Sequence, residues 1–194
     1  PGKLGAPDAA GAMMPNGKIL VALSHAPTKD TTFYRHTVFY EFDYLTNSYD
    51  KIKCPDGSDS LDVPSYYSNM LCLPDGSILY GSQYDDQYYV YMPADTPLTA
   101  GKPVVDSILG NNCDTFMATG HLFNGISEGA CYGDDWQMAT NYPLVRISRN
   151  DTVIYATTFN WNSTGVMRDS ARDSVTFIIP YKTNPGLYQL QVVE

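Results

Sequence analysis

Two stretches of the sequence repeat each other. Within MMPNGKILVALS (13–24) and LCLPDGSILYGS (71–82), both copies read apolar-apolar-Pro-[Asn/Asp]-Gly-polar-Ile-Leu-apolar, with the prolines 59 residues apart. Asn-Gly and Asp-Gly between apolar runs are the strongest short-range signal for a β-hairpin, because these residues tolerate the backbone conformations that reverse a strand tightly. Each hairpin is followed by a tyrosine-rich strand, TVFYEFDYLTNSY after the first and QYYVYMPADTPL after the second. The repeated unit is therefore a set of several antiparallel strands. Repeats of roughly 40 to 50 residues with four strands each are the signature of β-propeller blades, and a 59-residue repeat fits if a loop such as CPDGSDSLDVPS is enlarged. A propeller closes with about 4 to 8 blades, so two blades predict a partial propeller whose missing blades are supplied from elsewhere.

Downstream of about residue 103 the pattern changes. PVVDSI, TFMATGHLF, PLVRISR, TVIYATTFNW, SVTFIIP and GLYQLQVVE read as six or seven strands. Alternation is clearest at Val175, Phe177 and Ile179 and at Tyr188, Leu190 and Val192. This is the pattern of a small immunoglobulin-like sandwich. The expected organisation is thus all-β, with incomplete propeller blades over 1–102 and a sandwich over 103–194. Composition agrees: of 21 acids 18 are Asp, and Tyr, Thr, Gly, Pro, Asn and Ser favour strands and turns over helix.

The net charge of -9 is spread evenly, with 12 acids against 7 bases over 1–103 and 9 against 5 over the remainder. An even acidic balance argues against a nucleic-acid footprint or an anionic-membrane patch. No run of about 18 apolar residues encodes a membrane span, and the opening PGKLGAPDAAG reads as a linker or a cut. Cys54, Cys72, Cys113 and Cys131 lack any C-x-x-C spacing, which leaves two disulfides or buried free thiols open.

The blades carry LPDG-type hairpins, and FNGISEGACYGDDWQMATNYPLVRI and YATTFNWNSTGV follow them. In these features the chain resembles, over essentially its whole length, the C-terminal part of galactose-oxidase-like and glyoxal-oxidase-like proteins, with Kelch-type blades and an early-set immunoglobulin-like domain. The resemblance implies a secreted or cell-surface protein. In its catalytic members, copper is held by two tyrosines and two histidines, and one tyrosine is crosslinked to a cysteine. A Tyr-His-Ser triplet before the hairpin aligns with Tyr66-Tyr67-Ser68, so Tyr66 matches a copper-ligand tyrosine and Tyr67 replaces an imidazole. A Thr-His pair followed by Asn aligns with Thr158-Phe159 and Asn162, so Phe159 replaces the second. Copper(II) prefers nitrogen donors, and neither a phenylalanine nor a neutral phenol substitutes for imidazole. The expectation is a non-catalytic glycan- or protein-binding or structural module without a cofactor. The alternatives are a copper-radical oxidase of carbohydrate alcohols or aldehydes, with His25 or His36 recruited, and another enzyme whose active residues lie on absent blades.

Other candidates are weaker. Asp56, Ser58, Ser60 and Asp62 have the spacing of a calcium loop but lack its turn glycine and terminal glutamate, which makes Asp56 and Asp62 incomplete calcium ligands. Glu128, Asp134, Asp135 and Trp136 lie in a long loop of the kind that carries recognition residues. The tyrosines of the blade strands offer ring faces for stacking on sugars. Open strand edges predict association with missing blades or with another copy of the chain.

Overall fold

Each of the two repeated stretches closes a hairpin in the same way. The computed structural model describes residues 3–73, 75–83, 85–111, 114–126, 142–164 and 170–193. Gly17 N donates to Met14 O at 2.8 Å and Met14 N to Lys18 O at 2.8 Å; Gly76 N donates to Leu73 O at 2.9 Å and Leu73 N to Ser77 O at 2.8 Å. Gly17 and Gly76 both take a φ of +83°, and the Asn16 and Asp75 side chains accept from Lys18 N and Ser77 N at 2.9 and 3.0 Å. Asn16 and Asp75 are not among the positive-φ residues, so the connections are three-residue loops in which glycine alone turns left-handed.

The described residues are all-β apart from two single-turn 3-10 segments, and they divide into two units between Pro97 and Leu98. In the first unit, β1 (Leu4–Gly5), β2 (Gly11–Met13), β3 (Ile19–His25), β4 (Val38–Asp43) and β5 (Ser48–Ile52) form one antiparallel sheet. β1 and β2 share one edge of β3, and β4 and β5 follow as a meander. A second sheet contains β6 (Ser68–Cys72), β7 (Ile78–Ser82) and β8 (Tyr89–Tyr91). The registers are equivalent: Met13 faces Ile19, which faces Phe42, and Cys72 faces Ile78, which faces Tyr91. The extra length between the hairpins is shared by the β3–β4 connector (26–37) and the β5–β6 connector (53–67), whereas the sequence pointed only to the latter.

The two sheets of this unit bury apolar faces against each other. Ala12, Met14 and Leu20 pack with Ile78, Met70 and Tyr91, while Ala22 and Phe39 pack with Tyr80, Tyr89 and Cys54. Phe39 meets Tyr80 edge-on with ring centres 5.2 Å apart, the arrangement that aligns a ring's positive edge with its neighbour's negative face. Burial of each such side chain stabilises the unit by roughly 1.5–3 kcal/mol. Polar bonds also cross the seam. Cys72 Sγ donates to Met13 O at 3.3 Å, and Tyr91 Oη donates to Glu41 Oε1 at 2.7 Å. Glu41 in turn receives Lys18 Nζ at 3.2 Å, and Lys18 reaches Asp95 at 2.7 Å.

The second unit has six strands: β9 (Val104–Gly110), β10 (Thr115–His121), β11 (Leu144–Arg149), β12 (Thr152–Phe159), β13 (Asp173–Ile178) and β14 (Gln189–Val193). They follow the order β14-β11-β12-β13-β10-β9, and the two end strands approach each other, so the sheet nearly closes. β12 makes this curvature possible because its first half pairs with β11 and its last three residues pair with β13. Val175, Phe177, Val192, Val145, Ala118 and Phe123 form the core, with Ile179, Tyr188 and Leu190 packed against it. At the Thr119/Gly120 bulge, a Cβ on Gly120 would lie 1.9 Å from Val104 O, so only glycine permits that approach of β9.

Candidate functional site

The Tyr66-Tyr67 pair sits in a single-turn 3-10 segment, Ser65–Tyr67, immediately before β6. Buried Ser65 anchors this turn through an Oγ to Oγ hydrogen bond of 3.0 Å with Ser24 near the end of β3. The anchor leaves both phenol rings half-exposed. Tyr66 lies between Phe33 and Tyr67, at ring separations of 4.6 Å on each side and interplanar angles of 55° and 82°. Phe33 comes from the long β3–β4 connector, which also places Tyr34 against the His25 ring at 4.7 Å. Tyr34 Oη and Thr28 Oγ1 are 2.7 Å apart and hold that connector folded. The connector thus makes two separate ring contacts, Phe33 on the Tyr66–Tyr67 pair and Tyr34 on His25. The phenols supply hydrogen-bonding groups around apolar faces.

The histidines are engaged locally. His25 Nδ1 is 2.8 Å from Ala26 O, His36 Nδ1 is 3.9 Å from Asp62, and His121 in the second unit has Nε2 3.2 Å from Asp106 and Nδ1 3.2 Å from Ala171 O. Phe159 ends β12, opposite Thr176, and contributes no donor atom. Beside it, Thr158 Oγ1 accepts from Trp161 Nε1 at 3.1 Å. Asn162 bonds Arg172 O at 2.8 Å and Ser174 N at 2.9 Å, so the residue matched to the family asparagine clamps the start of β13. Neither the two phenols in the first unit nor Phe159 in the second supplies the nitrogen donor that copper(II) prefers. Among the described residues no three His, Cys, Asp or Glu side chains converge as a metal site.

The loop after β5 uses its carboxylates in separate ways. Asp56 Oδ1 accepts from Ser58 N at 2.9 Å, and the Ser58 bonds hold its carboxyl below the usual carboxylate range. Asp62 pairs with Arg35 Nε at 3.0 Å, and its backbone carbonyl accepts from the same guanidinium. These are turn-closing and connector-tying bonds. Asp85 likewise accepts from Gln87 N at 3.0 Å. Glu128, Asp134, Asp135, Trp136, Cys113 and Cys131 lie outside the described residues.

A cavity of about 170 Å³ opens between the outer strands of the first unit's two sheets, lined in part by Phe39, Lys53, Cys54, Tyr80, Tyr89 and Tyr91. Cys54 is a free thiol, 4% exposed, and burial pushes its pKa up. A thiol in this state is a poor nucleophile. Neither the cavity nor the Phe33 contact was legible from motifs; the one signal was the long polar-aromatic stretch between two strands that pair directly. No protein family, no curated protein and no solved structure matches this chain.

Proposed function

We propose that the chain is part of a secreted or cell-surface galactose-oxidase-like protein, with Kelch-type blades and an early-set immunoglobulin-like domain, that recognises glycans without oxidising them. The observation that carries this reading is the half-exposed ring group formed by Phe33, Tyr66 and Tyr67. It supports recognition because rigid aromatic faces bind sugar rings by stacking while phenol groups select hydroxyl patterns, at little cost in side-chain entropy. By the family resemblance Tyr67 of this group replaces an imidazole, which speaks against copper chemistry. The test is titration of the protein with a panel of oligosaccharides, followed by tyrosine-region NMR or calorimetry. Binding to a subset of glycans is expected, with loss on Phe33→Ala or Tyr66→Ala while circular dichroism is unchanged. Binding that is indifferent to both substitutions, or no glycan binding at all, sinks the reading.

A further inference from the structure

The dipeptide Asn-Gly occurs twice in the chain, at Asn16-Gly17 and at Asn124-Gly125. Its reactivity is intrinsic. The glycine nitrogen can attack the side-chain carbonyl carbon of the asparagine before it, because glycine carries no Cβ to hinder a close approach. At the first site a bond forms from Gly17 N to Asn16 Cγ, the Cγ–Nδ2 bond breaks, and ammonia leaves with the proton that Gly17 N gives up. One water then opens the resulting succinimide, at Cγ to give aspartate or at the Asn16 backbone carbonyl carbon to give isoaspartate. The reaction takes no oxidant, reductant or enzyme, so with the same dipeptide at both sites the local structure sets their relative rates.

In both places the nucleophilic nitrogen is tied in a turn. Gly17 N donates to Met14 O at 2.8 Å, and Gly125 N donates to Leu122 O at 2.9 Å. Beyond that bond the two sites differ. Asn16 is half-buried at the tip of the β2–β3 hairpin, where its Oδ1 accepts from Lys18 N at 2.9 Å. Its amide nitrogen, the leaving group, finds no acceptor among the described residues. Asn124 is 2% exposed, and its amide nitrogen donates to Ser163 O at 3.4 Å. The residue before it, Phe123, is fully buried in the core of the second unit and donates its N–H to Asp173 Oδ2 at 3.0 Å. Hairpin tips open locally at much lower cost than cores do. Release of Gly17 N needs only such an opening, whereas release of Gly125 N disturbs the packing of Phe123.

The second hairpin shows how the product fits. Asp75 stands where the repeat has Asn16, and its Oδ1 accepts from Ser77 N at 3.0 Å in the way that Asn16 Oδ1 accepts from Lys18 N. Aspartate at position 16 therefore retains the bond that shapes the loop, while isoaspartate lengthens the main chain by one methylene and shifts Gly17 N away from Met14 O. We propose that Asn16 is a site of spontaneous deamidation in the folded protein, reached by opening of the β2–β3 hairpin tip and yielding an aspartate that the hairpin accommodates, and that the core of the second unit shields Asn124 from the same reaction. The proposal is independent of glycan recognition.

The test is incubation of the full chain at mildly alkaline pH, folded and in urea, with peptide mapping by mass spectrometry and isoaspartyl methyltransferase labelling of the products. In urea the two asparagines are expected to convert at similar rates. In the folded chain Asn16 is expected to convert at least about tenfold faster than Asn124, because each rate follows the population of its open form. Asn16→Asp is expected to melt as the wild type does. Equal rates in the folded chain overturn the proposal: if both are fast, the dipeptide alone decides, and if both are silent, the hairpin tip is as closed as the core. Rates that already differ by the same factor in urea overturn it as well, since the neighbouring sequence then accounts for the difference. So does an Asn16→Asp chain that has lost the cooperative melt of the first unit.

Discussion

Replacement of Lys18 by methionine tests whether the polar network at the seam holds the first unit together. Lys18 Nζ lies 3.2 Å from Glu41 Oε2 and 2.7 Å from Asp95 Oδ2, and the three side chains are 23%, 10% and 55% exposed. Solvent-exposed ion pairs contribute about 0–1 kcal/mol, whereas stripping the partner from a buried charge costs about 3–5 kcal/mol. Glu41 is close to the buried limit, but Lys18 and Asp95 keep contact with water, so Lys18→Met is expected to cost about 2 kcal/mol. Met retains the apolar stem, which leaves the charge as the main thing removed. For a unit of roughly 100 residues this lowers the melting temperature by about 8–16 °C.

The same network has a pH signature. The hydrogen bonds that Lys18 donates to Asp95 and Glu41 raise its pKa above the ordinary value, so the folded state holds this proton more tightly than the unfolded state. The resulting stabilisation is complete below the ordinary lysine value of about 10.4 and is lost as pH rises through the higher folded value. Burial, and then Glu41, raise the Tyr91 phenol in the same direction, so it adds to the alkaline loss. Thermal melts followed by near-ultraviolet circular dichroism are therefore expected to show a gap between wild type and Lys18→Met that is constant near neutrality and narrows above about pH 10. A melting shift under about 3 °C, or a gap that stays constant into the alkaline range, refutes the reasoning.

Three further outcomes are expected. Gly120→Ala drives a Cβ to 1.9 Å from Val104 O and 2.7 Å from the Phe123 ring, so the second unit should lose its cooperative melt; a native-like melt would contradict the bulge geometry. Gly57 and Gly76 both have positive φ, but Gly57 has open space where Gly76 has Pro15 at 3.0 Å. Gly57→Ala is expected to cost about 1–2 kcal/mol in urea unfolding and Gly76→Ala more, and equal costs would mean the two hairpin loops do not touch. The buried Cys54 thiol, with its pKa raised by desolvation, should resist alkylation in the folded protein and react on unfolding; rapid native labelling at that position by peptide mapping would show it is not buried.

The repeat was readable because its signal is local. Pro-[Asn/Asp]-Gly fixes a loop, and the apolar residues on both sides fix the register of β2–β3 and β6–β7. Alternation similarly exposed the core residues of β13 and β14, since Val175, Phe177 and Val192 each sit two positions from another inward residue. The ring group was not readable, because it depends on where an irregular connector folds back, and nothing in PTKDTTFYRH specifies that Phe33 reaches Tyr66. The Lys18–Glu41–Tyr91 network lies in between. Glu41 falls on the same face as Phe39 in β4, and the burial of that face in the structure is what demands a partner for its carboxylate. Its partners come from a hairpin loop and from β8, and only the packing of two sheets brings them together.

Copper retention measures the central claim most directly. After incubation with copper(II) and desalting, the wild-type chain and Tyr67→His are both expected to retain no stoichiometric copper, because by the family resemblance Phe159 also replaces an imidazole. Stoichiometric copper in the wild type, together with peroxide production from galactose or a simple aldehyde, would contradict the account.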